Sequence, residues 1–166
     1  MGIFNKKQNH KNYVNMVHKT AESHMPELAN WDFTLTDFVP PASNTLKRLG
    51  IYSSKKMFAR LMGKHLYTSE NPFANATMIT CFKDKTIHFL SVGTSPSKSH
   101  MEVKSDGCIT FKASDTKEVK TSFGKKVIFV LQNGDEFAFK YGLYPSTIYA
   151  MLEHDKALEQ FIKSLC

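Results

Sequence analysis

Val127-Ile128-Phe129-Val130-Leu131-Gln132-Asn133-Gly134-Asp135-Glu136-Phe137-Ala138-Phe139-Lys140-Tyr141 reads as two short strands joined by a tight turn. Asn-Gly is the strongest two-residue hairpin signal, because both turn positions need positive φ and these residues tolerate it best. On the return strand Phe137, Phe139 and Tyr141 recur with period two and so share one side. The outgoing strand is apolar throughout, which predicts a central position covered on both faces.

Working back from this hairpin, the same period continues. Ala76 to Phe82 and Thr86 to Val92 flank Lys83-Asp84-Lys85. His100 to Lys104 alternates cleanly and meets a second hairpin signal, Asp106-Gly107, before Cys108 to Lys112. Thr116 to Phe123 bends round Gly124. Residues 76–141 are thus expected to hold seven strands linked mostly as hairpins. Working forward, Pro145 suits a first helical position, and Ile148, Met151, Leu152, Leu158, Phe161, Ile162 and Leu165 form an apolar stripe. The stripe slips near His154-Asp155, where a bend or restart is expected. The fold class is α+β, a seven-stranded antiparallel bent sheet or barrel capped by a C-terminal helix.

The first third has a different character, so a helical N-terminal extension over 1–72 and a sheet-plus-helix unit over 73–166 are expected. Tyr13, Met16, Val17, Ala21 and His24 place an amphipathic helix over 10–25, stopped or restarted at Pro26. Pro40-Pro41 marks a loop. Ser43 or Asn44 then caps a short helix ended by Gly50, and a further helix over 54–66 turns Phe58, Leu61, Met62 and His65 to one side.

A chain of 166 residues buries roughly 70% of its unfolded surface, enough for a core without staples. Three cysteines with no C-x-x-C pair suit a reducing compartment. No apolar leader opens the chain, Lys6 breaks the myristoylation pattern, and Val127 to Leu131 is far too short to span a bilayer. A cytoplasmic location is expected. The net charge of +7 is concentrated in Lys47, Arg48, Lys55, Lys56, Arg60 and Lys64, with no acid between Asp37 and Glu70. Such a segment attracts an anionic surface or an acidic protein. It is the candidate anion- or partner-binding site, and single-stranded nucleic acid is its alternative ligand. Twenty of the 22 basic residues are Lys, which fits general attraction better than bidentate phosphate recognition.

Catalytic signals are weak. Cys81 and Cys108 fall in strands beside those carrying His88 and His100, so thiol and imidazole can meet across a ladder, but buried structural cysteine is the commoner outcome. The seven histidines show no metal-ligand spacing, and the glycines are scattered singly rather than gathered into a phosphate loop. Neither catalytic residue, metal nor cofactor is expected. Phe137-Ala138-Phe139-Lys140-Tyr141 partly matches the aromatic strand of RNA-recognition motifs. The preceding Lys/Arg-Gly is absent and Asp135-Glu136 would repel phosphate, so core packing is the reading adopted.

Two hairpins, Met78 to Phe82 with Thr86 to Leu90 and Val127 to Phe139, together with the closing helix, resemble bacterial pleckstrin-homology-like and GRAM-like domains. The likeness covers residues 78–165 and is one of element order. It implies a non-enzymatic binding module. Lipid-binding members of that family grip phosphates with basic residues around the first strand-to-strand loop. Here that loop is only Lys83-Asp84-Lys85, which argues against inositol-lipid recognition. The expected function is a cytoplasmic docking module for a protein or anionic surface. The alternatives are a single-stranded nucleic-acid binder using Lys47 to Lys64 and, more weakly, a small hydrolase with an unrecognised site.

Overall fold

The computed structural model describes residues 2–39, 76–93, 100–105, 107–134, 136–142 and 148–165. Helix α1 (Gly2–His24) and a 3-10 turn (Pro26–Asn30) lead into strand β1 (Asp32–Phe38). Six strands follow: β2 (Thr77–Lys83), β3 (Thr86–Ser91), β4 (Cys108–Lys112), β5 (Thr116–Ser122), β6 (Lys126–Leu131) and β7 (Glu136–Tyr141). Helix α2 (Ile148–Leu165) closes the order. The strands form one antiparallel sheet, β4-β3-β2-β1-β7-β6-β5. Its two edges, β4 and β5, are neighbours in the chain, joined through the 3-10 turn Ala113–Asp115, and they do not pair. The sheet is therefore open at this seam rather than a closed barrel.

Seven strands stand where seven were expected, but one differs. Strand β1 comes from the extension read as helical and irregular, where no strand was expected, and it pairs with β2 from Asp32↔Phe82 to Asp37↔Thr77. Residues on both sides of the expected division at 72/73 thus share one sheet. Conversely, His100 to Lys104 lies in no ladder. Its alternation is real, since Met101 is buried while His100 and Glu102 are exposed. Burial of one face does not itself supply a strand partner.

The sheet has two covered layers. On its concave side Phe38, Met78, Phe82, Ile87, Phe89, Phe111, Val127, Phe129, Phe137 and Phe139 pack with Leu158 and Ile162 of α2. The helix therefore fills the curved sheet as the apolar stripe requires. Behind β1–β3, helix α1 buries Val17 and Ala21, and Leu28 of the 3-10 turn joins them, against Phe33, Leu35, Ile79, Cys81 and Leu90. Each fully buried large apolar side chain contributes roughly 1.5–3 kcal/mol of transfer free energy. The strands covered on both faces are β2, buried from Thr77 to Phe82, and β3, buried from Ile87 to Ser91. Strand β6 was expected there, yet it alternates between buried and half-buried residues. Among the described residues, no helix lies over its second face.

Helix α2 runs without a break through His154-Asp155. The slip in its stripe is a buried polar contact instead. The β1–β7 ladder covers only Thr36–Phe38, which leaves the first half of β1 to α2. There Thr34 Oγ1 donates to Asp155 Oδ1 at 2.6 Å, both residues being buried. Beside it Thr36 and Thr80 share a hydroxyl–hydroxyl bond of 2.7 Å. Among the described residues no buried side-chain oxygen or nitrogen lacks a partner, as a packed interior requires.

Candidate functional site

Two surface features concentrate polar chemistry. The first is the end of the sheet where β5 turns into β6. Lys126 and Lys140 are cross-strand partners, and both point outward because their neighbours Val127 and Phe139 are buried. Like charges directly opposite each other destabilise a ladder. Asp37 flanks Lys140 on the other side, with its Oδ1 accepting from the Thr77 hydroxyl at 3.0 Å. Lys120 lies on the same outward face, 3.3 Å from Glu118. Glu118 and Glu136 both stand opposite Val130, at the far end. Along β5–β7 the face is thus polarised, basic toward the hairpin tip and acidic away from it, with Asp37 of β1 bordering the basic end.

The tip itself is Phe123-Gly124-Lys125. Gly124 has φ +78° and Lys125 φ +58°. The left-handed conformation costs a residue with a Cβ roughly 1–2 kcal/mol. Contacts of the Lys125 side chain offset that cost. Its stem crosses Gly142, where an added Cβ would lie 2.9 Å from Lys125 Cδ. Its Nζ sits 5.3 Å from the Tyr141 ring centre and 3.9 Å from Glu159 Oε1. Tyr141 donates to the same carboxylate oxygen at 3.1 Å, and burial with this acceptor pushes its phenol well above the usual range. The hairpin is therefore tied to α2 through Lys125. Phe123, at 104% relative exposure, projects free of it. A fully solvated phenylalanine forgoes the burial that its ring would gain elsewhere.

The second feature is a groove of about 680 Å³ between α1 and the extended segment 100–103. Asn12, Asn15, Lys19, Thr20, Ser23 and His24 line the helical wall, and His100, Met101, Glu102 and Val103 the other. Thr20 Oγ1 donates to Met16 O at 2.8 Å and reaches Met101 O at 3.4 Å. His100 and Glu102 pair loosely at 4.0 Å.

At the groove's end His24 Nε2 lies 3.0 Å from Cys108 Sγ. The sequence suggested thiol–imidazole contact across a ladder, and this pair joins a helix to a strand instead. Burial pushes the Cys108 thiol up, so it stays protonated near neutrality. Among the described residues His24 makes no second hydrogen bond that would orient its ring as a base. Cys81 and His88 are cross-strand partners, yet the imidazole turns to the Thr110 hydroxyl at 2.6 Å and to the Trp31 ring. Burial lowers the His88 pKa, with Glu27 opposing, and pushes the Cys81 thiol up to about 12. At pH 8, alkylation of Cys81 by iodoacetamide followed by mass spectrometry should run about a thousandfold slower in the folded protein than in urea, with Cys108 intermediate. Labelling of folded Cys81 at the unfolded rate would contradict its burial.

The basic residues singled out from sequence, Lys47, Arg48, Lys55, Lys56, Arg60 and Lys64, lie outside the described residues, as do the helices expected over 43–50 and 54–66. Phe137 and Phe139 are fully buried and face Phe89, so their rings are core and not a base-stacking platform. The first strand-to-strand turn is as tight as its sequence implied. Asp84 and Lys85 alone bridge Lys83 and Thr86, both with positive φ. Phe123 was missed because an aromatic ending a strand ordinarily signals core. Its one distinguishing mark was the Gly-Lys-Lys that follows.

No family model matches the chain, and no curated protein or solved structure matches it either. The geometry is therefore the basis for function. Among the described residues, no three or more His, Cys, Asp or Glu side chains gather to hold a metal ion, and no helix is long and apolar enough to cross a membrane.

Proposed function

We propose that the protein is a non-catalytic docking module on a pleckstrin-homology-like scaffold that holds to an anionic surface through the β5–β6 hairpin end. The observation that carries this reading is Phe123, fully solvated on a tip whose adjoining outward face carries Lys126, Lys140 and Lys120. Lysines supply long-range attraction to acidic headgroups or an acidic protein face, while an exposed ring adds a short-range apolar contact. The scaffold likeness is supported by the meander β1 to β4 and β5 to β7, with the first strand pairing the last and the terminal helix in the concavity. The two-residue turn Asp84-Lys85 is too tight to cradle a phosphorylated ring, so the proposed attraction is to surface charge rather than to one headgroup.

The test is co-sedimentation with vesicles of phosphatidylcholine alone or with phosphatidylserine added, across a salt series, with single-stranded DNA as a second polyanion. Each lysine near an acidic leaflet is worth about 1 kcal/mol, so Lys126→Gln with Lys140→Gln should weaken binding about thirtyfold. Binding should also fall with salt, because charges beyond about 8 Å are screened at physiological ionic strength. Wild-type protein that binds neither acidic vesicles nor DNA, or binding that is indifferent to the double substitution, would overturn this reading.

A further inference from the structure

The tip that presents Phe123 is supported from one side. Strand β5, which leads into it, is an outer strand of the sheet and has no buried residue. Phe123 itself is fully solvated, and Gly124 stands clear, since a Cβ added there would meet no atom within 4 Å. Neither residue supplies a contact that fixes the direction of the ring. Lys125, the third residue of the turn, points inward instead. Its carbonyl accepts from the Tyr141 amide at 3.3 Å, and its ammonium reaches both the Tyr141 ring and Glu159 of α2. The stem fits because residue 142 has no side chain: an added Cβ would lie 2.9 Å from Cδ and 3.0 Å from Nζ. Glu159 is fixed in turn by the Tyr141 hydroxyl. A lysine placed for attraction to an acidic surface reaches outward, as Lys126 and Lys140 do; this one is turned to a carboxylate of its own chain.

We propose that Lys125 is the positioning residue of the docking tip, acting through Glu159 and Tyr141 to hold Phe123 ready for contact rather than through its own charge. This role rests on the hairpin end being the docking surface. A tip that wanders must be ordered when it docks, and that ordering lowers affinity. The turn is prone to wander, because consecutive left-handed residues, Gly124 and Lys125, form a conformation that a lysine without its tether would leave. The contacts of Lys125 complete the ordering during folding, so the ring meets the surface already in place.

The test is a double-substitution cycle of Lys125→Gln and Glu159→Gln on the full chain. Binding is read by co-sedimentation with vesicles of phosphatidylcholine and phosphatidylserine at physiological ionic strength. Lys125→Gln removes a positive charge and Glu159→Gln a negative one. A surface-charge role would make the first weaken binding, the second strengthen it and the double variant return to wild type. A positioning role gives another pattern. Each single variant should weaken binding about fivefold, and the double variant should be no weaker than either, because all three lose the same tether. Lys125→Arg keeps a cation for the ring and the carboxylate and should bind as wild type. Without vesicles, the heteronuclear NOE of the Phe123 and Gly124 amides should fall in the Gln variants and hold in Lys125→Arg. The ion pair is half exposed, so unchanged urea unfolding serves as the control for folding. Lysine-dependent vesicle binding that Glu159→Gln strengthens, or amide order that neither Gln variant lowers, overturns the positioning role and leaves the hairpin reading standing. Wild-type protein that does not bind the vesicles overturns both.

Discussion

Phe89→Ala is expected to remove about 3–5 kcal/mol of stability, the largest loss from any single substitution considered for this chain. The ring is fully buried on β3, in the middle of the concave layer. Its centroid lies 4.8 Å from Phe137 and 4.9 Å from Phe139 on β7, and 6.0 Å from Phe111 on β4. It also reaches Phe129 on β6 at 6.4 Å. These strands come from both halves of the sheet, so Phe89 joins the halves across the concavity rather than along the ladder. Alanine leaves a void between rings that are themselves held by the backbone, and such sites collapse poorly. Domains of this size are stable by roughly 5–15 kcal/mol, so the loss leaves a marginal protein. Urea unfolding of wild type, Phe89→Ala and Phe123→Ala would measure it. Phe123→Ala should stay within about 0.5 kcal/mol of wild type, since its ring touches solvent. A Phe89→Ala loss below about 1 kcal/mol would mean that the two halves do not meet as described.

The second large effect is at Asp155. Asp155→Ala leaves the Thr34 hydroxyl buried without its acceptor and opens a small void, a cost of about 1–3 kcal/mol. Asp155→Asn keeps an oxygen for Thr34 and removes the charge, so it should be far milder. The pair also predicts a pH dependence with a definite sign. Burial raises the Asp155 pKa, while Thr34, Lys125 and His154 oppose the rise and Glu159 reinforces it. A carboxyl raised on folding binds its proton more tightly in the native state. It therefore favours the native state at low pH, and this contribution is lost as pH rises through the folded pKa. Relative to wild type, Asp155→Asn should be most favourable near neutrality, with the difference narrowing as pH falls toward the unfolded value of about 3.9. Burial lowers the His154 pKa and the Asp155 charge opposes this, so His154 costs Asp155→Asn more than wild type below about 6.5, which narrows the difference in the same direction as pH falls. Denaturation of both proteins between pH 4 and 8 reads the difference directly; a difference that stays flat would mean the carboxylate is solvated, and the opposite trend that its charged form is favoured by folding.

Much of the sheet was legible because period two is a local property. The β6–β7 hairpin, the tight turn after β2 and the closing helix were all placed from residues within a few positions of one another. Strand β1 carried the same signal, with Phe33, Leu35 and Thr34, Thr36 alternating. It was overlooked because it stands alone between a helix and Pro40-Pro41, with its pairing partners on β2 and β7 far along the chain. His100 to Lys104 failed for the converse reason, since alternation reports which face is buried and not whether a neighbouring strand exists. The apolar run of β6 suggested double burial, whereas the strands that have it, β2 and β3, contain Thr77, Thr80 and Cys81, and His88 and Ser91. Where α1 would dock could not be read from α1 alone, because an amphipathic stripe does not name the surface it covers. The hairpin tip and the groove were invisible for the same reason. Both depend on what is brought alongside.

Strand β2 has no solvent side, and it acts as a common wall between two rooms. The residues alternating along it furnish the aromatic chamber under α2 and the smaller aliphatic chamber under α1 by turns. A wall of this kind cannot shift toward one side without leaving a gap on the other. The N-terminal helix is for that reason no appendage, and the two chambers must assemble, and come apart, together.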